Sequence, residues 1–385
     1  MPFDCTHRAL HGADICGTAC PTHAEVGGFQ FARVERGQPV PPAEPATIDV
    51  ALLDMHHGWP NLGHDALVHA VQNAVCDLRA HLAQAGLNVR VVSYDVRRGH
   101  AIPEPPGGRH AIYIGTGGPG HLDPALNRGG DGSQGIVEDP AWEAPLFALF
   151  DAIRRDPGAS LFAVCHTFGV VCRGLGIADV VLRGPEKGGK SAGIVENILT
   201  DAGRAHPWFA RFAQMLPDGE HFRILDNRLY DLVPRGPLPA GMTAIAHEVR
   251  EGGVAGDALT MLEVARDAGG TMPRMLAVNH HPEIVNRQRQ VVVLQRKKAR
   301  GPVDPAWFDE RLRTLVQPMA DEFGERMLHL TSSYTLMAPM RYMLYREVRL
   351  RGERLGIDTG VHESDWPLTY SLAQDTLTSV DRVSR

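Results

Sequence analysis

Ser160-Leu-Phe-Ala-Val-Cys165-His-Thr-Phe-Gly169-Val-Val-Cys-Arg-Gly-Leu-Gly176 is the stretch that decides the fold. Leu161 to Val164 is an apolar run that reads as a buried strand stopping at a cysteine. Behind it Phe168, Val171 and Leu175 recur at helical spacing. A strand followed at once by a helix packed on the same sheet puts Cys165 at the C-terminal sheet edge, near a helix N-terminus. The helix dipole and unpaired N–H groups found there favour thiolate over thiol. This is the arrangement of a nucleophile elbow, with Cys in place of Ser. Taken by itself, the segment also fits a buried structural cysteine.

Upstream, Thr47–Asp54, Val89–Tyr94 and Ala111–Ile114 read as strands, with a helical pattern at Leu67, Val71, Val75, Leu78 and Leu82 closed by Gly86. A further helix spans about Trp142 to Ile153. Strands alternating with helices predict a doubly wound α/β fold, a mostly parallel sheet with helices on both faces. Loops that carry function then gather at the C-terminal strand ends. One of them is Gly115-Thr-Gly-Gly-Pro-Gly120, where glycines let backbone N–H groups come close to a ligand. It lacks the Lys-Ser/Thr of a phosphate loop and suits the stabilisation of an oxyanion better.

Gly184-Pro-Glu-Lys-Gly-Gly189-Lys190-Ser191 fits G-x-x-x-x-G-K-S literally, and a nucleotide site there would make the chain an NTP-dependent enzyme. Gly193 weakens the helix that should follow, and Asp226 is the only weak candidate for a magnesium ligand. A Gly/Lys-rich loop between two strands is the simpler reading. Further on, Phe222–Asn227, Thr243–Ala246 and Arg274–Asn279 read as strands, with 250–272 as an insertion. The last strand ends at His280-His281-Pro282-Glu283. On an extended segment residues two apart share a side, so Glu283 can orient the imidazole of His281 while His281 takes the thiol proton of Cys165.

The ordered set Gly115–Gly120, Val164-Cys165-His-Thr-Phe-Gly169 and Asn279-His-His281-Pro-Glu283 resembles class I (triad) glutamine amidotransferases over about residues 47–298. The resemblance implies a Cys165 nucleophile, a His281 base and a Glu283 orienter, releasing ammonia from glutamine or a related carboxamide through a thioester. It implies oxyanion donors at the backbone of Gly117, Gly118 and His166, and substrate contacts from Gly169, Asn227, Arg228 and Tyr230. It implies a small-molecule amide substrate, no cofactor, and a separate acceptor or synthetase partner. The chain departs from the family elbow at Thr167, where a second glycine is usual, and at Gly169, where a glutamine is usual. A catalytically inactive binding or scaffold protein of the same fold is the non-enzymatic alternative.

Residues 1–46 end in Gln38-Pro-Val-Pro-Pro-Ala-Glu-Pro45 and read as an arm or linker. Cys5, Cys16 and Cys20 with His7, His11 and His23 lie there without the paired knuckles of a zinc site, so no metal is expected. Residues 299–385 read as a helical C-terminal extension, its Met/Tyr-rich stripe forming core or the interface of a homo-oligomer. The 385 residues are 43% apolar and 22% charged, with a net charge of −6 and no long basic run. A nucleic-acid partner is not expected. No apolar run approaches the roughly 20 residues of a membrane span, and the N-terminus has no apolar signal core. Six cysteines are too few for a disulfide framework, which predicts reduced thiols and a cytoplasmic location.

Overall fold

All eight residues of Thr47–Asp54 are buried, and their side chains divide between two cores. Ile48, Val50 and Leu52 face one; Ala51 and Leu53 face the other, as the two-residue repeat of a strand requires. Such a strand must be covered on both sides. The computed structural model, which describes residues 28–362 except 59–61, 251, 285, 301–302 and 318–321, shows what covers it.

In chain order the strands are β1 (Phe29–Val34), β2 (Thr47–Asp54), β3 (Asn88–Asp95), β4 (His110–Gly115), β5 (Ser160–Val164), β6 (Ala178–Leu182), β7 (Ser191–Leu199), β8 (His221–Arg228), β9 (Tyr230–Pro234), β10 (Thr243–Val249), β11 (Ala255–Arg266) and β12 (Pro273–Val278). Ten form one sheet in the order β1-β3-β2-β4-β5-β12-β11-β10-β7-β8, and β6 pairs with β9 beside it. From β1 to β12 in that order every pairing is parallel; from β12 to β8 every pairing is antiparallel. Helices 143–155 and 165–175 cover one face through Leu146, Leu149, Phe168 and Val171. Helices 63–77, 209–215 and 338–355 cover the other through Leu67, Phe212 and Met343. The fold is the mostly parallel α/β sheet with helices on both faces that the sequence predicts.

Two expectations change. Residues 29–34, read as part of an arm, form the edge strand β1, tied to the sheet by the ion pair of Arg33 with Asp54 at 2.8 Å. The proline-rich stretch after it is a draped arm, with Pro42 accepting a hydrogen bond from Arg90 at 2.8 Å. Residues 255–266, read as part of an insertion, form β11 between β10 and β12. The acidic Glu263 within it obscured the apolar run; it is buried against His206, 2.9 Å away, and Arg266. The C-terminal region is helical as expected, and its stripe is core: Leu330, Leu336, Met340, Met343 and Leu344 share a core with β2 and β8. Trp208 donates to the carbonyl of Tyr334 at 2.9 Å within this layer. The cysteines and histidines of the first 27 residues lie outside the described residues.

If this layer is core, Met343→Ala should destabilise the protein by about 2–5 kcal/mol, as deletion of a fully buried side chain does. Urea unfolding measures it; a change below about 0.5 kcal/mol would mean that the helix is only loosely appended.

Candidate active site

The parallel pairings Gly115↔Ala163 and Ala163↔Ala277 bring the C-terminal ends of β4, β5 and β12 level. The residues just beyond those ends therefore meet at one edge. Cys165 follows β5 with φ +67°, a left-handed conformation that costs a non-glycine residue about 1–3 kcal/mol and persists only where the surroundings impose it. Thr167 supplies much of that constraint. Its backbone N–H and its hydroxyl both donate to the carbonyl of Thr116, at 3.3 and 2.7 Å. Room for the Thr167 side chain exists because position 115 is glycine, where a Cβ would overlap it. The departure from a glycine-rich elbow is thus matched by a glycine on the neighbouring strand.

The two histidines after β12 take opposite courses. His280 is buried against the C-terminal helices, with Nε2 3.4 Å from the Thr335 hydroxyl, and burial and the charge of His281 push its pKa down to about 3. His281 turns into the cavity. Its Nδ1 lies 2.9 Å from Glu283 Oε1, on a carboxylate with no exposed side-chain surface. Burial works against a charged imidazole here, but Glu283 and then Cys165 outweigh it and raise the pKa to about 10. The remaining nitrogen, Nε2, closes no full hydrogen bond among the described residues, although Cys165 acts on the ring. Such contacts commonly tighten only with substrate bound. The turn is held by Ser332, whose hydroxyl donates to the Pro282 carbonyl at 2.6 Å.

The loop after β4 closes over this pair. A Cβ on Gly117 would sit 2.9 Å from His281 Cε1 and 3.5 Å from Cys165 Cβ, and one on Gly118 would overlap the Met55 carbonyl. Backbone can approach the thiol here only because side chains are absent. Arg97 fixes the loop from behind, donating to the carbonyls of Met55 and Pro119 at 2.9 and 2.6 Å while paired with the buried Glu138. The His166 ring is buried, which holds its pKa well below the usual value, and it engages the backbone of Gly118.

Cys165, His166, Gly118, Asn227, Arg228, Tyr230 and His281 line one cavity of about 320 Å³. Arg228 is committed to Asp226, Asp231 and Glu248, and the Tyr230 hydroxyl to the Gly132 carbonyl. Gly169 does not belong with them: it faces Leu122 inside the protein, where a Cβ would overlap that side chain, so it corrects the expected substrate contact. Lys190 and Ser191 form no phosphate loop. Ser191 opens strand β7 rather than a helix and donates to Asp226 at 2.7 Å, while Lys190 pairs with Glu310.

Several lining residues were not anticipated. His56 stands beyond β2, bonded through Nδ1 to Asp54 and Thr116, each at 3.0 Å; burial lowers its pKa to about 4. Its place directly after a buried strand was the available signal. Asn279 lines the cavity with Nδ2 buried and unpaired, as does Asn227 with Oδ1. Trp307, Glu310 and Arg311 enter from helix 305–316, and nothing in their own segment marks them.

Two outcomes check this geometry. Gly115→Ala should cost about 1–3 kcal/mol by overpacking, and adding Thr167→Gly should recover part of it, a coupling that a double-mutant cycle of unfolding free energies reads directly. The second follows from the raised His281 pKa. Stability gained from its charge is complete below about 6.5 and fades as pH rises toward about 10. The stability difference between wild type and His281→Asn should therefore shrink across that window in urea titrations.

No protein-family model and no curated protein matches this chain. Among solved structures it is similar to a glutamine amidotransferase from Thermotoga maritima, at 14% identity and a TM-score of 0.42, over 78% of this chain and 98% of that one. It is also similar to a glutamine amidotransferase from Methylobacillus flagellatus, at 13% identity and a TM-score of 0.40, over 75% of this chain and 94% of that one.

Proposed function

We propose that the protein is a cysteine-nucleophile amidotransferase or amidohydrolase acting on a small carboxamide. The observation that carries this reading is the left-handed Cys165 beside an imidazole that a fully buried Glu283 keeps charged. An oriented imidazole beside a cysteine is the arrangement that lets the sulfur attack a carbonyl carbon.

In the first half-reaction the Cys165 sulfur adds to the carboxamide carbon and the carbonyl electron pair moves onto oxygen. Backbone N–H groups of His166 and of the Gly117-Gly118 turn are the donors for that oxyanion. His281 then passes its proton to the leaving nitrogen, the C–N bond breaks, ammonia departs and a thioester remains. Water attacks the thioester while neutral His281 takes its proton. The C–S bond breaks, and the product acid leaves with Cys165 again paired to a charged imidazole. Glu283 moves no proton; it keeps the ring oriented and compensates its charge. Ammonia released here would serve a separate acceptor or synthetase protein if the reaction is a transfer.

His281→Ala should lower turnover of a working amide by about 10²–10⁴, the range for positioned acid–base groups. Glu283→Gln should cost less, since the ring keeps a hydrogen-bond partner and loses only the charge. Of Cys76, Cys165 and Cys172, only Cys165 should be alkylated quickly in the native protein. Cys172 is buried, which pushes its thiol well above the usual range. Peptide mass mapping after brief iodoacetamide treatment reads this, and an inert Cys165 would leave a binding or scaffold role in place of catalysis.

A further inference from the structure

His56 stands just beyond β2, among the residues that line the cavity of Cys165 and His281. Its ring is held by one nitrogen only. Nδ1 lies 3.0 Å from Asp54 Oδ1 and 3.0 Å from the Thr116 hydroxyl. Thr116 gives its own hydrogen to the Gly117 carbonyl, 2.8 Å away. Asp54 can only accept: burial raises the pKa of its carboxyl, but His56, His64 and Arg33 outweigh it and hold it well below the usual range. With two acceptors facing it, Nδ1 carries the hydrogen. Burial lowers the pKa of the ring to about 4 against the pull of Asp54, so at neutral pH the ring is uncharged. A neutral imidazole protonated on Nδ1 has a lone pair on Nε2. That lone pair has no partner among the described residues, and it is not sealed from solvent.

Thr116 ties this ring to the elbow. Its carbonyl accepts the Thr167 hydroxyl at 2.7 Å, and a Cβ on its neighbour Gly117 would lie 2.9 Å from His281 and 3.5 Å from Cys165. Behind the ring, His57 at φ +54° and Gly58 at φ +77° turn the chain sharply. A non-glycine residue keeps that left-handed conformation only where its surroundings impose it, and such positions cluster at functional sites. The carboxylates that line the cavity are engaged elsewhere. Asp226 is bonded to Ser191 and Arg228, Glu310 to Lys190 and Arg311, and Asp304 to the N–H of Trp307 at 2.7 Å. Asn227 Oδ1, buried on the wall formed by β8, is a further open acceptor.

We infer that His56 is a further catalytic residue, whose Nε2 accepts a hydrogen bond from the substrate's amide nitrogen while Cys165 attacks the carbonyl carbon. The inference rests on the reading of Cys165 as nucleophile. An acceptor at this point selects a carboxamide over an ester or an acid of the same shape. The carboxamide has a hydrogen to give; the ester has none there, and an ionised acid sets its own lone pairs against that of Nε2. A site built to bond an N–H discriminates strongly, because an analogue without it leaves the acceptor unpaired. The product acid is disfavoured in the same way, which promotes its release. His56 takes no proton in this role: a pKa of about 4 suits it to accept a hydrogen bond and leaves proton transfer to His281.

Chloroacetamide and chloroacetone test this without a known substrate. They share one shape, with an amino group in the first where the second has a methyl. Each forms an S–C bond at the Cys165 thiolate and expels chloride. Rates at Cys165 are read by peptide mass for the full chain and divided by the rates with free cysteine. Wild type should favour chloroacetamide about threefold to tenfold, the weight of one neutral hydrogen bond. His56→Leu should bring the ratio to that of free cysteine, and His56→Gln, which offers an amide oxygen as acceptor, should keep part of the preference. Loss of packing alone would slow both reagents alike. A second reading needs no variant: the nitrogen NMR resonance of His56 Nε2 should differ between wild-type protein carrying the carbamidomethyl adduct and protein carrying the acetonyl one. A wild-type ratio equal to that of free cysteine, a ratio that His56→Leu leaves unchanged, or an Nε2 resonance identical in the two adducts overturns the role of His56 and spares the nucleophile. A wild-type Cys165 inert to both reagents overturns the nucleophile and this inference with it.

Discussion

A cysteine held at φ +67° is costly, and the molecule keeps it there through one interlock. The carbonyl of Thr116 accepts both the N–H and the hydroxyl of Thr167, and Gly115 leaves the space that Thr167 fills. The end of β4 and the start of the elbow helix are therefore a single unit. Since the loop that approaches the thiol is the continuation of β4, the proposed nucleophile and the proposed oxyanion donors are set by the same contact. Arg97 and Glu138, buried behind the loop, stiffen it from the side away from the cavity. A site built in this way is placed by strands and backbone rather than by a flexible segment, the condition for preorganised donors.

The C-terminal helices tie that unit to His281. Ser332 holds the Pro282 carbonyl, and Thr335 lies beside His280, so one short stretch of helix grips the turn that presents His281. That stretch runs into the π-helical segment Ser333–Met337, an irregularity frequent where a helix is fitted to a site. The same layer completes the core over β2 and β8. Packing energy and the position of the imidazole are therefore not independent: loosening this layer would disturb the turn as well as the core.

Much of the parallel half of the sheet was legible because its strands are short apolar runs between helical patterns. The elbow and the His-Pro-Glu turn were legible because strand ends and two-residue spacing fix which side chains share a side. What was not legible depends on partners distant in sequence. Phe29–Val34 is short, interrupted by Gln30 and Arg33, and lies as a strand beside β3, with Asp54 waiting for Arg33. Ala255–Arg266 conceals a buried strand because Glu263 looks like a surface residue until His206 and Arg266 are placed on it. Thr167 looked like an obstacle, and only the sheet register shows that Gly115 answers it. Gly169 was expected at the substrate by analogy of position, but the helix turns it toward Leu122. Arg311 has no local signature, since the cavity it lines has its other wall far back in the chain.

Three histidines converge on this region and physical context gives them different charges. His280 and His56 are driven down to about 3 and about 4, chiefly by burial, while His281 rises to about 10 under the same penalty. Proximity to a carboxylate does not by itself explain the difference, because His56 also has one, Asp54, at 3.0 Å. Asp54 does raise the His56 pKa, but burial, the largest influence, and the charges of His64 and His281 outweigh it, whereas at His281 Glu283 prevails over burial, its second oxygen having no partner among the described residues. His281 has Cys165 on its other side as a further negative partner. At neutral pH, then, His281 carries a proton at this sheet edge while His56 and His280 stay neutral. Their neutrality also favours the charged form of His281, since a second imidazolium nearby would repel it.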